Sequence, residues 1–531
     1  MIRSSISALL VSTALAAHAQ SSRPQQTAVG AIVTLRPSAE AVRVVIDLPV
    51  ARDTVRFRDP AVPRDAWTIE SPNIRWVGGA LVGEAPIKRV VLSVRPDTTE
   101  NGRGYLSAIR VGNGWQLHGP AFEVAQHPTR VVPSLAADWM QWPQRRLTQG
   151  YFYLGPRQQH RRQSSHELIA GASVPTPLRA LADSALTAAL RDHARRFGTT
   201  LIDRPAMIIT QDGPPGSFSF RGDVTDGGVM SLRFARDFTL ASSATTRADV
   251  WLFVAHEAAH LWNSHLAQAD DAHPFLHEGG AEYAALQSAV AAGVLSQDAL
   301  HSRLSDRLTE CHRQIGVRDS LQRIMARGGA VYDCGTVLQW LGDLDGGAAG
   351  GFESTWRALV ANSLRQRRPY HLQEFRALQP AGSLAAQWFD VSPDLRWRTL
   401  NERLASRGVR WENAPSSQAY VVSALLHLAR QVCARGSSIG FGLVNGKLRY
   451  DQEPGCGPIA HGPVIAAIED VDPLKDGAEL FARVEARCQS GAPVRVQTDS
   501  DGRSIELPCS AAPARPVAYR LTSMPSLVRV P

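Results

Sequence analysis

The sequence predicts a multidomain α+β chain: a β-sandwich N-terminal domain, a mostly helical central domain and a small β-rich C-terminal module. Three observations carry this. From about 31 to 130, short segments rich in β-branched residues alternate with Pro, Asp, Asn and Gly, the pattern of strands and turns. From about 131 the apolar residues recur at helical spacing. Beyond about 430, strand patterns return around a single helix. A length of 531 residues suits two to four domains at about 150 residues each.

Composition narrows the class. With 44% apolar and 20% charged residues, the chain is neither disordered nor collagen-like nor a coiled coil. The net charge is +8, and all but three of the 57 basic residues are arginine; the lysines are Lys88, Lys447 and Lys475. The basic residues are scattered, which reads as a preference for arginine rather than a nucleic-acid surface.

Residues 1–19 carry one charge, Arg3, then an apolar stretch over 6–17, then Ala17-His18-Ala19. This is the pattern of a secretory signal peptide cleaved before Gln20. The apolar run is shorter than the roughly 20 residues a bilayer requires, so the expected mature chain is exported, to the periplasm or outside, with no transmembrane segment. In an oxidising compartment the six cysteines, Cys311, Cys334, Cys433, Cys456, Cys488 and Cys509, favour disulfides. None has the CxxC spacing of a structural zinc site. Pairing between sequence neighbours, 311–334, 433–456 and 488–509, is the expectation, although counting alone does not choose it.

Along the chain, 41–48, 90–94 and 105–111 read as strands, with Trp67, Trp76 and Trp115 filling a sandwich core. Residues 176–197 read as a helix through Leu178, Leu181, Leu186, Ala189 and Leu190. Extended segments follow at 206–210, 217–221 and 229–234. A helix over 246–266 has Thr246 as a candidate cap, with Asp249 three residues on. A second helix runs over 275–293, and further helices continue to about 410. The C-terminal strands fall at 440–450, 464–468, 494–498 and 504–507, with a helix at 477–487.

The segment 251–288 carries the chemistry. His256-Glu257-Ala258-Ala259-His260 is an HExxH motif. On a helix its histidines share one face and can reach one metal, with Glu257 beside them to hold a water. Zinc suits such ligands and lowers the pKa of its water to about 7. A third ligand is required. His265 misses the HExxHxxGxxH register by one place, and His273 and His277 lie near a turn. Glu278, on the second helix, is the preferred ligand, with Glu282 one turn on fixing a ligand histidine. The two glutamates could also exchange these roles.

Here the sequence resembles a known family. HEAAHLWN followed by LHEGGAEY is similar to the glutamate-zincin metallopeptidases: distantly the M1 aminopeptidases, more closely the M61 glycyl-aminopeptidase-like family, whose HExxHxWN variant Trp262-Asn263 matches. The resemblance implies a thermolysin-like catalytic domain and one zinc ion held by His256, His260 and Glu278. It gives Glu257 as general base, with Asn263 and Glu282 supporting the ligands. It also implies a tyrosine in a YxxG segment. Tyr332, in Val331-Tyr332-Asp333-Cys334-Gly335, fits as donor to the oxyanion, with Cys334 where lysine is usual. Upstream, Gly227-Gly228-Val229-Met230 stands where the family has a substrate-pairing edge strand, and Met230 replaces the glutamate that binds a free α-amine. Exo and endo action therefore both stay open, with Asp223 or Asp226 as substitutes. Residues 435–510 resemble a PDZ domain, with 439–443 as its carboxylate-binding loop.

The expected layout is a signal peptide at 1–19, a β-rich domain at 20–130, a thermolysin-like zinc peptidase domain at 131–425, a PDZ-like domain at 430–515 and a tail at 516–531. The expected function is hydrolysis of peptides or proteins by an exported zinc metallopeptidase, with a peptide ligand for the PDZ-like module and no nucleic-acid partner. The alternative is a catalytically divergent peptide-binding or scaffold protein that keeps the zinc site.

Overall fold

The computed structural model describes residues 30–59, 65–97, 105–145, 147–213, 220–240, 243–316, 321–347, 351–434, 440–444, 447–499 and 503–525. The expected leader at 1–19 lies outside these, as does Ile439 at the start of the expected carboxylate loop. The chain divides into two units: one reaches Ile109 and includes Gly114–Gly155; the other takes Arg110–Asn113 and Pro156 onward.

The first unit is built from two sheets. One orders β3 (Trp67–Ile69), β5 (Ala80–Val94), β2 (Val42–Arg56), β1 (Ala31–Pro37) and β8 (Thr129–Pro133), with β4 (Ile74–Val77) also paired to β5. The other orders β6 (Ala108–Val111), β7 (Gly114–His118), β10 (Tyr151–Pro156) and β9 (Trp139–Trp142). Alternate residues of β1 and β2, such as Val33, Leu35, Val44 and Ile46, share one core with Leu117, Phe152 and Leu154 of the second sheet. That is the packing of a sandwich. Trp67 stacks on Phe122 and takes Phe57 edge-on, each at 5.2 Å. Trp115 is fully buried and donates to the Ser38 carbonyl at 2.8 Å, while Trp76 is only partly buried. The unit runs past residue 130 because β9 and β10 complete its second sheet.

In the second unit a five-stranded sheet orders β11 (His160–Arg162), β12 (Glu167–Ala170), β13 (Ala206–Gly213), β15 (Val229–Ala235) and β14 (Phe220–Thr225). β12, β13 and β15 are parallel; β14 returns antiparallel to β15 as the edge strand. The crossover helix α1 (Thr176–Phe197) buries Leu178, Leu186, Ala189 and Leu190 and ends at Gly198 with φ 72°, the left-handed stop glycine provides. The helices α2 (Ala244–His260), α3 (Pro274–Ala291), α4 (Gln297–Ile315), α5 (Leu321–Met325), α6 (Ala330–Gly346), α7 (Gly351–Gln366), α8 (Leu372–Ala377), α9 (Leu384–Gln387) and α10 (Pro393–Ser406) follow. α2 begins after Ser243, so Thr246 sits in its first turn rather than at its cap.

At the C-terminal end, β17 (Phe441–Val444), β18 (Lys447–Tyr450), β19 (Val464–Ile468), β20 (Val494–Thr498) and β21 (Ser504–Leu507) form a sheet in sequence order, every pair antiparallel. Its core includes Leu480, Phe481 and Val484 of α12 (Gly477–Gln489) and also Val421, Leu425 and Leu428 of α11 (Ser417–Val432). The module therefore starts before residue 430, since α11 turns its apolar stripe into it. The expected tail at 516–531 contains β22 (Tyr519–Ser523), which pairs with β16 (Arg410–Asn413). Tyr519 and Leu521 bond by their N–H groups to Thr309 and Ser305 of α4 at 2.8 and 2.9 Å. Disulfides join Cys311 to Cys334, Cys433 to Cys456 and Cys488 to Cys509. Among the described residues no helix is long and apolar enough to cross a membrane.

Burial lowers the pKa of His118, His193 and His312 to about 4 each, because a charged imidazole is poorly solvated in the interior. An unfolded histidine titrates near 6.5. The stability that depends on these neutral rings is full above pH 6.5 and is lost as pH falls toward 4. Thermal unfolding followed by circular dichroism should show Tm falling through this window; a flat Tm between pH 6.5 and 4 would contradict the assignment.

Candidate metal centre and cleft

Helical period and charge compensation build the centre. His256 and His260 lie one turn apart on α2, with Nε2 atoms 3.2 Å apart. Glu278, on α3, places Oε2 3.2 Å from the first and 3.3 Å from the second. A tetrahedral ion with bonds of about 2.0–2.1 Å spaces its ligand atoms about 3.3 Å apart, so the triangle has the size of a zinc site. Two imidazoles and a carboxylate are also the donor set zinc prefers. The field agrees. Burial works against a charged His256, yet Glu278 and Glu282, with the charge of Glu257, lift its pKa to about 10. Burial likewise opposes ionisation of Glu278, but His260, His256 and His277 hold it far below the usual carboxylate range. Groups that stabilise a proton so firmly would stabilise a divalent cation in the same place.

The neighbouring side chains fix the two rings. Asn263 Oδ1 lies 3.1 Å from His260 Nδ1, and its amide donates to the His277 carbonyl at 2.7 Å. Asn263 reaches this position because α2 widens into a π turn over Leu261–Leu266, closed by Ala267 N–H to the Trp262 carbonyl at 2.9 Å. Such widened turns are frequent at functional sites. On the other ring, Glu282 Oε2 lies 3.2 Å from His256 Nδ1. Arg307 of α4 binds the other oxygen of Glu282 and donates to Asp333 of α6 at 2.7 Å.

Asp333 follows Tyr332, whose ring centroid lies 5.9 Å from that of His256. Burial, then the charges of Glu278, Glu257, Glu282 and Asp223, raises the Tyr332 pKa above the usual phenol range. The phenol thus stays protonated, a hydrogen-bond donor beside His256. Two glycines allow the approach. A methyl on Gly279 would lie 2.1 Å from the Gly335 carbonyl carbon, and one on Gly335 would lie 2.5 Å from the Phe275 carbonyl oxygen. α3 and α6 can cross this closely only with glycine at both positions, which brings the turn carrying Tyr332 beside Glu278. The Cys311–Cys334 disulfide ties the same turn to α4.

Glu257 is buried, and burial raises its pKa. The strand that passes it is β14. A Cβ on Gly222 would fall 2.4 Å from Glu257 Oε1. This corrects the expectation for Gly227, Gly228, Val229 and Met230. Gly227 and Gly228, with φ 93° and 75°, form the turn between β14 and β15. Val229 and Met230 begin β15, which is hydrogen-bonded on both sides and fully buried at both residues. No substrate can pair there; among the described residues the strand next to it, β14, is at the edge of the sheet. Of the acidic substitutes, Asp223 lies on β14, 3.7 Å from the Arg233 guanidinium, and its charge reaches Tyr332, while Asp226 is engaged by His265 at 2.9 Å. His273 is bonded to Asp270 at 2.7 Å, and His277 stands 3.5 Å from Glu278 Oε1. Sequence reading missed Arg307, which carries no motif, and the role of Asp333, an unspecified position of the YxxG segment. It also missed Gly222, a lone glycine in a strand pattern, which is a signal of close approach.

No protein-family model and no curated protein matches the chain. Among solved structures it is similar to an aminopeptidase N family protein from Idiomarina loihiensis, at 12% identity and TM-score 0.59, over 93% of this chain and 98% of that one. An M1 zinc metallopeptidase from Deinococcus radiodurans superposes more loosely, at 15% identity and TM-score 0.40, over 73% and 94% of the two chains. The first likeness shows that this chain has the fold of the aminopeptidase N family protein along nearly its whole length.

Zinc content measured by plasma mass spectrometry after dialysis should be about one ion per chain. Glu278→Ala should retain almost none, and Glu282→Ala should weaken affinity by about 10–100-fold, as for other residues that support a ligand histidine. Stoichiometric zinc in Glu278→Ala would reassign the third ligand.

Proposed function

We propose that the protein is an exported zinc-dependent metallopeptidase that hydrolyses peptide bonds. The observation that carries the reading is the convergence of a zinc-sized donor triangle, a buried glutamate and a protonated tyrosine near the edge strand β14. Bound zinc, one ion held by His256, His260 and Glu278, would supply a Lewis acid for the scissile carbonyl and lower the pKa of a water toward about 7. Glu257, its pKa raised by burial, takes a proton from the attacking water and returns it to the leaving amine. Tyr332 donates to the oxyanion, a contact worth about 3–4 kcal/mol by comparison with other such donors. Asn263 and Glu282 hold the two rings in register.

An extended peptide fits β14 by strand addition, its backbone pairing with the edge. Gly222 leaves the space that a side chain would take from Glu257. Asp223, on the same strand and 3.7 Å from Arg233, is the carboxylate proposed to meet a substrate amine, a role that would favour release of N-terminal residues. Trp262-Asn263 supports the M61-like assignment, and the three disulfides support export. For the PDZ-like module the reading is peptide capture at the β17 edge of its sheet.

Incubation with an unbiased peptide mixture, read by mass spectrometry, should show hydrolysis that stops on chelation and returns with zinc. Single residues released from N-termini would establish aminopeptidase action, and internal cuts would establish endopeptidase action. Glu257→Gln should abolish turnover while keeping zinc; full activity in that variant would sink the mechanism. Gly335→Ala should keep zinc and lower kcat by about 100-fold, since displacing a catalytic group by about 1 Å costs that much.

A further inference from the structure

Away from the metal centre, a concavity of about 440 Å³ is lined by Arg313 and Gln314 of α4, Arg323 and Ile324 of α5, Arg327 just after α5, and Arg430 of α11. Arg313 is paired with Glu310 at 2.8 Å. Arg323, Arg327 and Arg430 meet no carboxylate among the described residues. Guanidinium groups converging on one hollow repel each other, and no carboxylate among the described residues offsets three of them. An anion would. The planar fork of arginine matches phosphate oxygens two at a time. The volume falls within the range of small-molecule sites, about 300–1,000 Å³, and exceeds what one small ion fills.

We propose that this concavity binds a phosphate-bearing anion about the size of a diphosphate, joining α4, α5 and the start of α6 to α11 of the C-terminal module. Its wall is also connected to the metal centre. Gln314 donates to Asp333 at 2.7 Å, Asp333 holds Arg307, Arg307 holds Glu282, and Glu282 faces His256. Gly329 leaves the room for the first of these contacts, since a Cβ there would lie 3.0 Å from Gln314 Nε2.

Titration calorimetry of the full chain with inorganic pyrophosphate at low ionic strength tests the site, with potassium chloride at matched ionic strength as the control. Binding is expected in the parent protein. The double variant Arg323→Ala/Arg327→Ala and the single variant Arg430→Ala should each weaken it by at least about tenfold, as expected for lost charge-assisted bonds. Pyrophosphate can also bind zinc, so the titration is repeated in Glu278→Ala, where affinity should be unchanged. Absence of binding in the parent would overturn the proposal. So would binding as tight as the parent's in both arginine variants, or binding lost in Glu278→Ala and kept in the arginine variants. Sedimentation with phosphatidic acid vesicles separates the sources. Arginine-dependent sedimentation that pyrophosphate competes away supports the site with a lipid headgroup as ligand, and pyrophosphate binding without sedimentation supports it with a soluble one.

Discussion

Three carboxylates, Glu257, Glu278 and Glu282, are gathered in the largely buried space between α2 and α3. Burying one charge is costly, and burying three of one sign is tolerable only when cations meet them. Much of the helical part of the second unit follows from that requirement. Arg307 spans from α4 to meet Glu282 and, through Asp333, fixes the first turn of α6. The remaining negative charge is concentrated where His256 and His260 face Glu278. The excess calls for a divalent ion, and the spacing of the three donor atoms gives it a place. Charge balance and coordination geometry therefore point to the same position.

The second constraint is distance. A tyrosine on one helix meets a carboxylate on another only if the helices approach more closely than ordinary side chains allow. Gly279 and Gly335 remove that obstacle at the crossing of α3 and α6, and Gly222 does the same where β14 passes Glu257. The glycines of the HEGG and YDCG segments are thus packing devices that set the reach of Glu278 and Tyr332. Arg307 and the Cys311–Cys334 disulfide then hold α4 against the same turn, one by charge and one by a covalent bond.

Local period is what made much of this legible. The spacing of His256 and His260 is a helical turn, Glu278 and Glu282 are another, and several strands and helices fall where β-branching and apolar spacing place them. Neighbour pairing of cysteines also describes the three disulfides. Sheet order was not legible. The segments at 220–225 and 229–235 are both extended and both flanked by glycine, and only the fold decides which is the edge. Gly227 and Gly228 fitted a substrate-pairing edge strand and are the intervening turn; Gly222 is the residue of close approach. Arg307 had no local signal among so many arginines. The beginning of the C-terminal module was hidden too, because the apolar stripe of α11 suits either neighbour until the core it fills is seen.

The central claim is that α2 and α3 present a zinc site made of two imidazoles and one carboxylate. Anomalous diffraction from crystals of the full chain, collected on both sides of the zinc absorption edge, tests it most directly. The account predicts a strong peak about 2.0–2.2 Å from His256 Nε2, His260 Nε2 and a Glu278 carboxylate oxygen. A zinc peak elsewhere on the chain, with Glu278 turned away from the histidines, would contradict it.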